Sequence, residues 1–225
     1  EAIGYTHYSR FKTGGARQVS CNTTFAATAL GIALRRLSQN GIDIVSADLT
    51  LYRRLKDPGE LKEAVPKPAL KPSHHAEDVM HVLPQLKGKV ASQANTNPWY
   101  HFHRTEISVK TDTPLSEAVL EDVVTGFKTY SRCIYAENDQ GAHGIPQGIA
   151  RLLALSKSLG IPDGDILLPV YTVIPASSTQ MRIVGFTPQR SIPVLSSVDW
   201  LWAATGRCPD APSAVVTTNT HVRWY

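Results

Sequence analysis

The chain has 225 residues, 42% apolar and 19% charged, with a net charge of +4, an ordinary globular composition that argues against disorder. No apolar run approaches the roughly 18–20 residues that span a bilayer, so a membrane-spanning protein is not expected; Glu1–Lys12 lacks the apolar core of a signal peptide, and a first residue other than Met leaves a processed chain open. The charge is unevenly held. Residues 1–100 carry 13 Lys/Arg against 8 Asp/Glu and residues 101–225 carry 10 against 11, which points to a polyanionic partner, or an acidic neighbouring subunit, for the N-terminal half.

In chain order, Ile3–Phe11 alternates as a strand with Ile3, Tyr5, His7, Ser9 and Phe11 on one face, and Gly14-Gly15 turns the chain. A helix is expected from Thr23 or Thr24 to Gln39, with Ala26, Leu30, Ala33, Leu34 and Leu37 as its apolar stripe and Asn40-Gly41 as its stop. Ile42–Val45 reads as a short strand, and Leu49–Leu55 as strand or helix. Asp57–Ser73 holds Pro58, Pro66, Pro68 and Pro72 and reads as an extended connection. A short helix over His75–Leu83 ends at Pro84, and Lys87–Pro98 reads as irregular.

Beyond it, Phe102–Thr111 alternates as a strand. Thr113-Pro114 opens a helix whose Val119, Leu120, Val123, Val124, Phe127 and Ile134 face a core. A further helix runs from Ile145-Pro146 to Gly160. Asp165–Ile174 and Gln180–Phe186 read as a hairpin, followed by a strand at Ser191–Leu195, a short helix at Ser197–Ala204 and a final strand at Val215–Tyr225. Helices and strands mix without a βαβ rhythm. The fold class is therefore α+β, a mixed or antiparallel sheet packed with four to five helices and joined by long Pro-rich loops. Residues 1–225 read as a single domain, or as two packed subdomains, a basic one over 1–83 and a second over 99–225.

Cys21, Cys133 and Cys208 are few and widely spaced, so a disulfide framework is not expected, a reducing intracellular compartment is the default, and each thiol reads as a small buried apolar group. The phosphate-loop patterns are absent, and no nucleotide cofactor is expected.

Rings interleave with cations at Tyr52, Arg53 and Arg54 and in two longer stretches. Tyr8, Arg10, Lys12 and Arg17 form one such stretch; Trp99 and Tyr100 lie in the other, beside His101, Phe102, His103 and Arg104. With Arg35, Arg36, Arg53 and Arg54 they make a candidate surface for nucleic acid, RNA rather than DNA, cations meeting phosphates and rings meeting bases. The leading expectation is therefore a nucleic-acid-associated subunit of a larger nucleoprotein assembly or virion-like shell, self-associating through strand-like ends.

Two His-x-Ser/Thr triplets support an alternative. His7 with Ser9, and His103 with Thr105, each put an imidazole and a hydroxyl on one face of a strand. Side by side, such strands would set one His as general base and the other as general acid across a phosphodiester. That pattern resembles the two-histidine (2H) phosphoesterases, which implies a metal-independent phosphodiesterase or ribonuclease. A third reading, a small metal-dependent hydrolase, has His81, His101 and His103 converge, with Glu77 one turn from His81. No metal site is assigned.

Overall fold

The computed structural model describes residues 19–53, 72–96, 102–137, 168–188 and 191–222, together with Ala150, Ala154 and Lys157. Five helices and a six-stranded sheet run in the order α1 (Cys21–Gln39), β1 (Ile44–Arg53), α2 (His75–Val82), a single 3₁₀ turn (Pro84–Leu86), β2 (Val90–Thr96), β3 (His103–Thr111), α3 (Glu117–Thr129), β4 (Ile134–Tyr135), β5 (Val170–Ser177), β6 (Gln180–Thr187), α4 (Ser191–Ala204) and α5 (Ala211–Val222). The sheet order is β2-β1-β3-β6-β5-β4. The outer pairs β1/β2 and β4/β5 are parallel, and the inner pairs are antiparallel. The α+β class and the mixed sheet are as the sequence suggests.

One face of the sheet carries the core. Along β3 the buried side chains are His103, Thr105, Ile107, Val109 and Thr111, while Arg104, Glu106, Ser108 and Lys110 take the opposite face by the two-residue period. On that opposite face Arg104 pairs with Glu106 and lies over the Tyr52 ring. Ala47, Leu49, Ile107, Val109, Met181 and Ile183 join Phe25, Leu30, Ala33 and Leu37 of α1 and Val123 and Phe127 of α3 in one apolar cluster. Alanines at 26, 27, 29 and 33 let α1 sink into it. At the α1–α3 crossing, Gly126 lies against Ile32 and Arg36, where a methyl would come within 2.8 Å of the isoleucine.

Several local expectations change. Helix α1 starts earlier than Thr23, because Ser20 is its cap: the Ser20 hydroxyl accepts the Thr23 N–H at 3.2 Å. The Ile42–Val45 strand and the ambiguous run after it merge into β1. Within the segment read as irregular lies β2, whose polar sequence pairs in parallel with β1. Ile134 leaves the helical stripe and enters β4.

Ser191–Ala204 is one helix rather than strand plus helix. Pro193 falls in its first turn, where the missing N–H costs nothing. The final strand is helix α5. Its β-branched run favours extension, but the Asp210 carboxylate accepts the Ser213 N–H at 2.8 Å, and the Thr218 and Thr220 hydroxyls donate to the carbonyls four residues back. Ile3–Phe11, most of Asp57–Ser73 and most of the Ile145–Gly160 helix lie outside the described residues. No helix among the described residues is long and apolar enough to cross a membrane.

Candidate active site

The direction of α1 decides what its first residue meets. Its C-terminal end turns through Asn40 and Gly41 into β1, whose Ile44 pairs with Thr111 at the far end of β3. Its N-terminal end therefore lies toward the opposite edge of the strands, where β3 begins at His103. Phe25 fixes the position: its ring tip is 2.9 Å from where a side chain on Gly185 would begin, and Gly185 pairs with Thr105 across the β3–β6 ladder. Cys21 stands one turn, about 6 Å, further out along α1. His103 stands two residues, about 6.6 Å, further out along β3 in the same direction.

Around that end the buried groups turn polar. His103 is 4% exposed, Asn22 3%, and Thr105 and Thr187 are fully enclosed. His103 and Thr187 are cross-strand neighbours. Asn22 Oδ1, Thr105 Oγ1 and Thr187 Oγ1 find no hydrogen-bond partner among the described residues. Buried polar atoms are nearly always satisfied, so three orphans at one end of a sheet mark a place where a ligand or water belongs.

Cys21 is half-buried and is the first residue of a 19-residue helix. The opening N–H groups of a helix have no partner in the turn before them; here the Ser20 hydroxyl accepts that of Thr23, and the Ser20 carbonyl accepts that of Thr24 at 2.8 Å. Their dipoles favour negative charge. The other cysteines differ. Cys133 donates to the Phe127 carbonyl at 3.2 Å, and burial pushes its thiol up to about 12. Cys208 is buried with its sulfur 3.4 Å from the Thr217 hydroxyl.

A second histidine cluster has a structural role. His75 contacts the Ser73 hydroxyl at 3.1 Å and stacks on His74 with centroids 4.2 Å apart. The Ser92 hydroxyl accepts the Ala76 N–H at 2.9 Å and bonds Ser73, tying α2 to β2. Burial, then the charges of His74 and Arg53, lower His75 to about 4, which keeps it neutral.

The arginines expected to form one basic face are dispersed. Arg35 and Arg36 lie in the last turns of α1, near the start of β1, and Arg36 pairs with Asp122 at 3.1 Å. Arg53 closes the far end of β1. Tyr8, Arg10, Lys12, Arg17, Arg54, Trp99 and Tyr100 lie outside the described residues, as do His7, Ser9 and His101. His81 is occupied with the Glu77 carbonyl at 2.8 Å, and no three metal-binding side chains converge among the described residues.

The family model of the glyceraldehyde 3-phosphate dehydrogenase, C-terminal domain, matches residues 20–145, more than half of the chain, opening at the cap of the cysteine helix. The chain belongs to that family. It is 31% identical over 202 residues to the glyceraldehyde-3-phosphate dehydrogenase of Pyrobaculum calidifontis, covering 86% of this chain and 54% of that one. It is 27% identical over 211 residues to that of Methanocaldococcus jannaschii, covering 90% and 58%, and 31% identical over 150 residues to that of Methanococcus maripaludis strain C5, covering 64% and 40%. The chain spans about half the length of the curated relatives it matches.

Membership of a dehydrogenase family overturns the leading expectation of a nucleic-acid-associated assembly subunit, with its RNA partner, and equally the phosphodiesterase and metal-dependent hydrolase alternatives. The charge asymmetry misled because net charge counts residues without locating them. Arg35 and Arg53 are at opposite ends of the sheet, and Arg36 is partly neutralised. His103 and Thr105 do share one face, but their strand partners are Thr187 and Gly185 of β6 and, for Thr105, Leu51 of β1. Sequence reasoning missed Cys21, Asn22 and Thr187. The available signal was Ser20 with Thr23 three residues on, a capping arrangement that makes Cys21 the first helical residue.

Proposed function

We propose that this chain carries the thiol chemistry of a glyceraldehyde-3-phosphate dehydrogenase, with Cys21 as nucleophile and His103 as its proton acceptor. The observation that carries the reading is the cysteine at the start of α1, set toward the same sheet end as buried His103 and the unsatisfied polar atoms of Asn22, Thr105 and Thr187. A thiolate there would add to an aldehyde carbon. The new S–C bond would form as the carbonyl π pair moves to oxygen, where the positive end of the α1 dipole would favour the charge. His103 would take the thiol proton and return it to the oxygen. Asn22, Thr105 and Thr187 offer hydrogen bonds to the rest of a polar, oxygen-rich substrate.

Completing a dehydrogenation requires a hydride acceptor. The sequence has no glycine-rich dinucleotide fingerprint, and the described sheet is mixed, not doubly wound. The chain spans about half the length of its curated relatives, and no step is assigned to that group.

The described residues of both halves share one sheet, since β1 pairs with β3. This supports reading them as one domain rather than as separate units over 1–83 and 99–225. A working thiol that must stay reduced favours a reducing compartment.

The test needs no hydride acceptor. An activated ester such as p-nitrophenyl acetate should deliver one acyl group per chain, located at Cys21 by peptide mass spectrometry. Cys21→Ala should abolish the burst, and His103→Gln should slow it about a hundredfold. Acylation spread evenly over Cys21, Cys133 and Cys208 would overturn the reading.

A further inference from the structure

We infer that Tyr171 is a positioning residue for Cys21, holding the opening turns of α1 against the sheet so that the thiol keeps its place at the helix start. The inference rests on the reading of Cys21 as the nucleophile.

Tyr171 lies on β5 with no exposure. Its hydroxyl donates to the Phe25 carbonyl at 3.0 Å across 146 positions of sequence. A carbonyl oxygen has two lone pairs, so Phe25 can accept this bond and keep its helical one. The ring of Tyr171 stacks on that of Phe25, centroids 4.4 Å apart and planes 24° from parallel, and meets Phe127 at 5.0 Å on α3. Burial holds the phenol well above its ordinary value, so it remains a donor at any physiological pH.

Gly185 is the other half of the seat. It is the strand partner of Tyr171, and a side chain there would run into both the Phe25 ring and the Val170 carbonyl. Phe25 thus rests in a notch that only glycine leaves open, with Tyr171 closing its side. Phe25 is one turn from Cys21. Helix ends fray unless tertiary contacts hold them, and the N–H dipoles act on a thiol only while the first turn is intact. The contact therefore bears on how readily Cys21 ionises, although Tyr171 is not proposed to touch substrate.

The test is Tyr171→Phe, which removes the hydroxyl and keeps the ring. The measured quantity is the rate of Cys21 alkylation by iodoacetamide against pH, with Cys133 and Cys208 followed in the same digests. The variant should react about tenfold more slowly near neutral pH, with the midpoint of its pH profile displaced upward and its far-ultraviolet circular dichroism unchanged. Phe25→Leu, which removes the stack, should shift the profile the same way and serves if Tyr171→Phe does not fold. A wild-type rate and midpoint in the folded variants would overturn the inference. If wild-type Cys21 itself reacts no faster than Cys133 and Cys208, the functional reading fails first, and the two failures are distinguishable.

Discussion

Arg132 grips Asp199 with both terminal nitrogens, at 2.5 and 2.8 Å, in an ion pair that is almost wholly enclosed. The same guanidinium donates from Nε to Asn219 at 2.8 Å and reaches the Val215 carbonyl at 3.3 Å. One side chain from the turn before β4 thus fastens both α4 and α5 to the body of the molecule. A cavity of about 60 Å³ lies beside it, lined in part by Thr24, Thr28, Tyr130 and Asp199.

Removing one partner of a buried pair strands the other. Asp199→Ala is expected to cost about 3–5 kcal/mol, and the double variant Arg132→Met/Asp199→Leu to recover much of that. Chemical denaturation of the three proteins measures both. A cost below about 1 kcal/mol for the single variant would show that the pair is solvated and that α4 and α5 are held by apolar contacts alone.

His75 sets an acid limit. Its value is lowered to about 4 when folded, from 6.5 when free, so above pH 6.5 it is neutral in both states and contributes nothing. Between pH 6.5 and about 4 the unfolded chain binds a proton that the folded chain refuses, and stability falls as the pH falls. His75→Gln should flatten the denaturation midpoint over that window and leave it little changed at pH 8. An unchanged acid slope would locate the sensitivity in another group.

Two glycines should respond differently to a methyl group. At Gly185 the obstacle is the Val170 carbonyl, backbone that cannot step aside, with the Phe25 ring behind it. At Gly126 the obstacles are the Ile32 methyl and the Arg36 side chain, which can yield. Gly126→Ala is therefore expected to lose about 1–3 kcal/mol, as overpacked cores do. Gly185→Ala should lose more than about 4 kcal/mol or fail to fold. Equal melting temperatures for the two would contradict this assignment of rigid and compliant neighbours.

The sequence was most legible where period and chemistry agreed. The α1 stripe, the alternation of β3 and the β5–β6 hairpin each bury a regular set of side chains, and each is found in place. Polar β2 has no such set, because its hydrogen bonds come from a parallel partner some 40 residues away. In α5, β-branched residues stated a preference that capping by Asp210 and back-bonding threonines overrode. The candidate site was half legible. His103 and Thr105 stood out as a same-face pair, whereas Cys21 looked like a small apolar residue until the cap at Ser20 set the helix start. Thr187 has no local signature at all, since its importance comes only from lying opposite His103.

The seat of Phe25 has a consequence for synthesis. Helix α1 is made before the tyrosine that receives it, which follows 146 residues after Phe25, roughly 7–30 s at ordinary elongation rates. Through that interval β3 also waits for β6, its partner on one side. The nascent chain must carry an unseated, thiol-bearing helix and an open strand until β5 and β6 are made. Its dependence on chaperones and on a reducing milieu is therefore greatest before β6 is made, and a chain arrested near residue 145 would expose both at once.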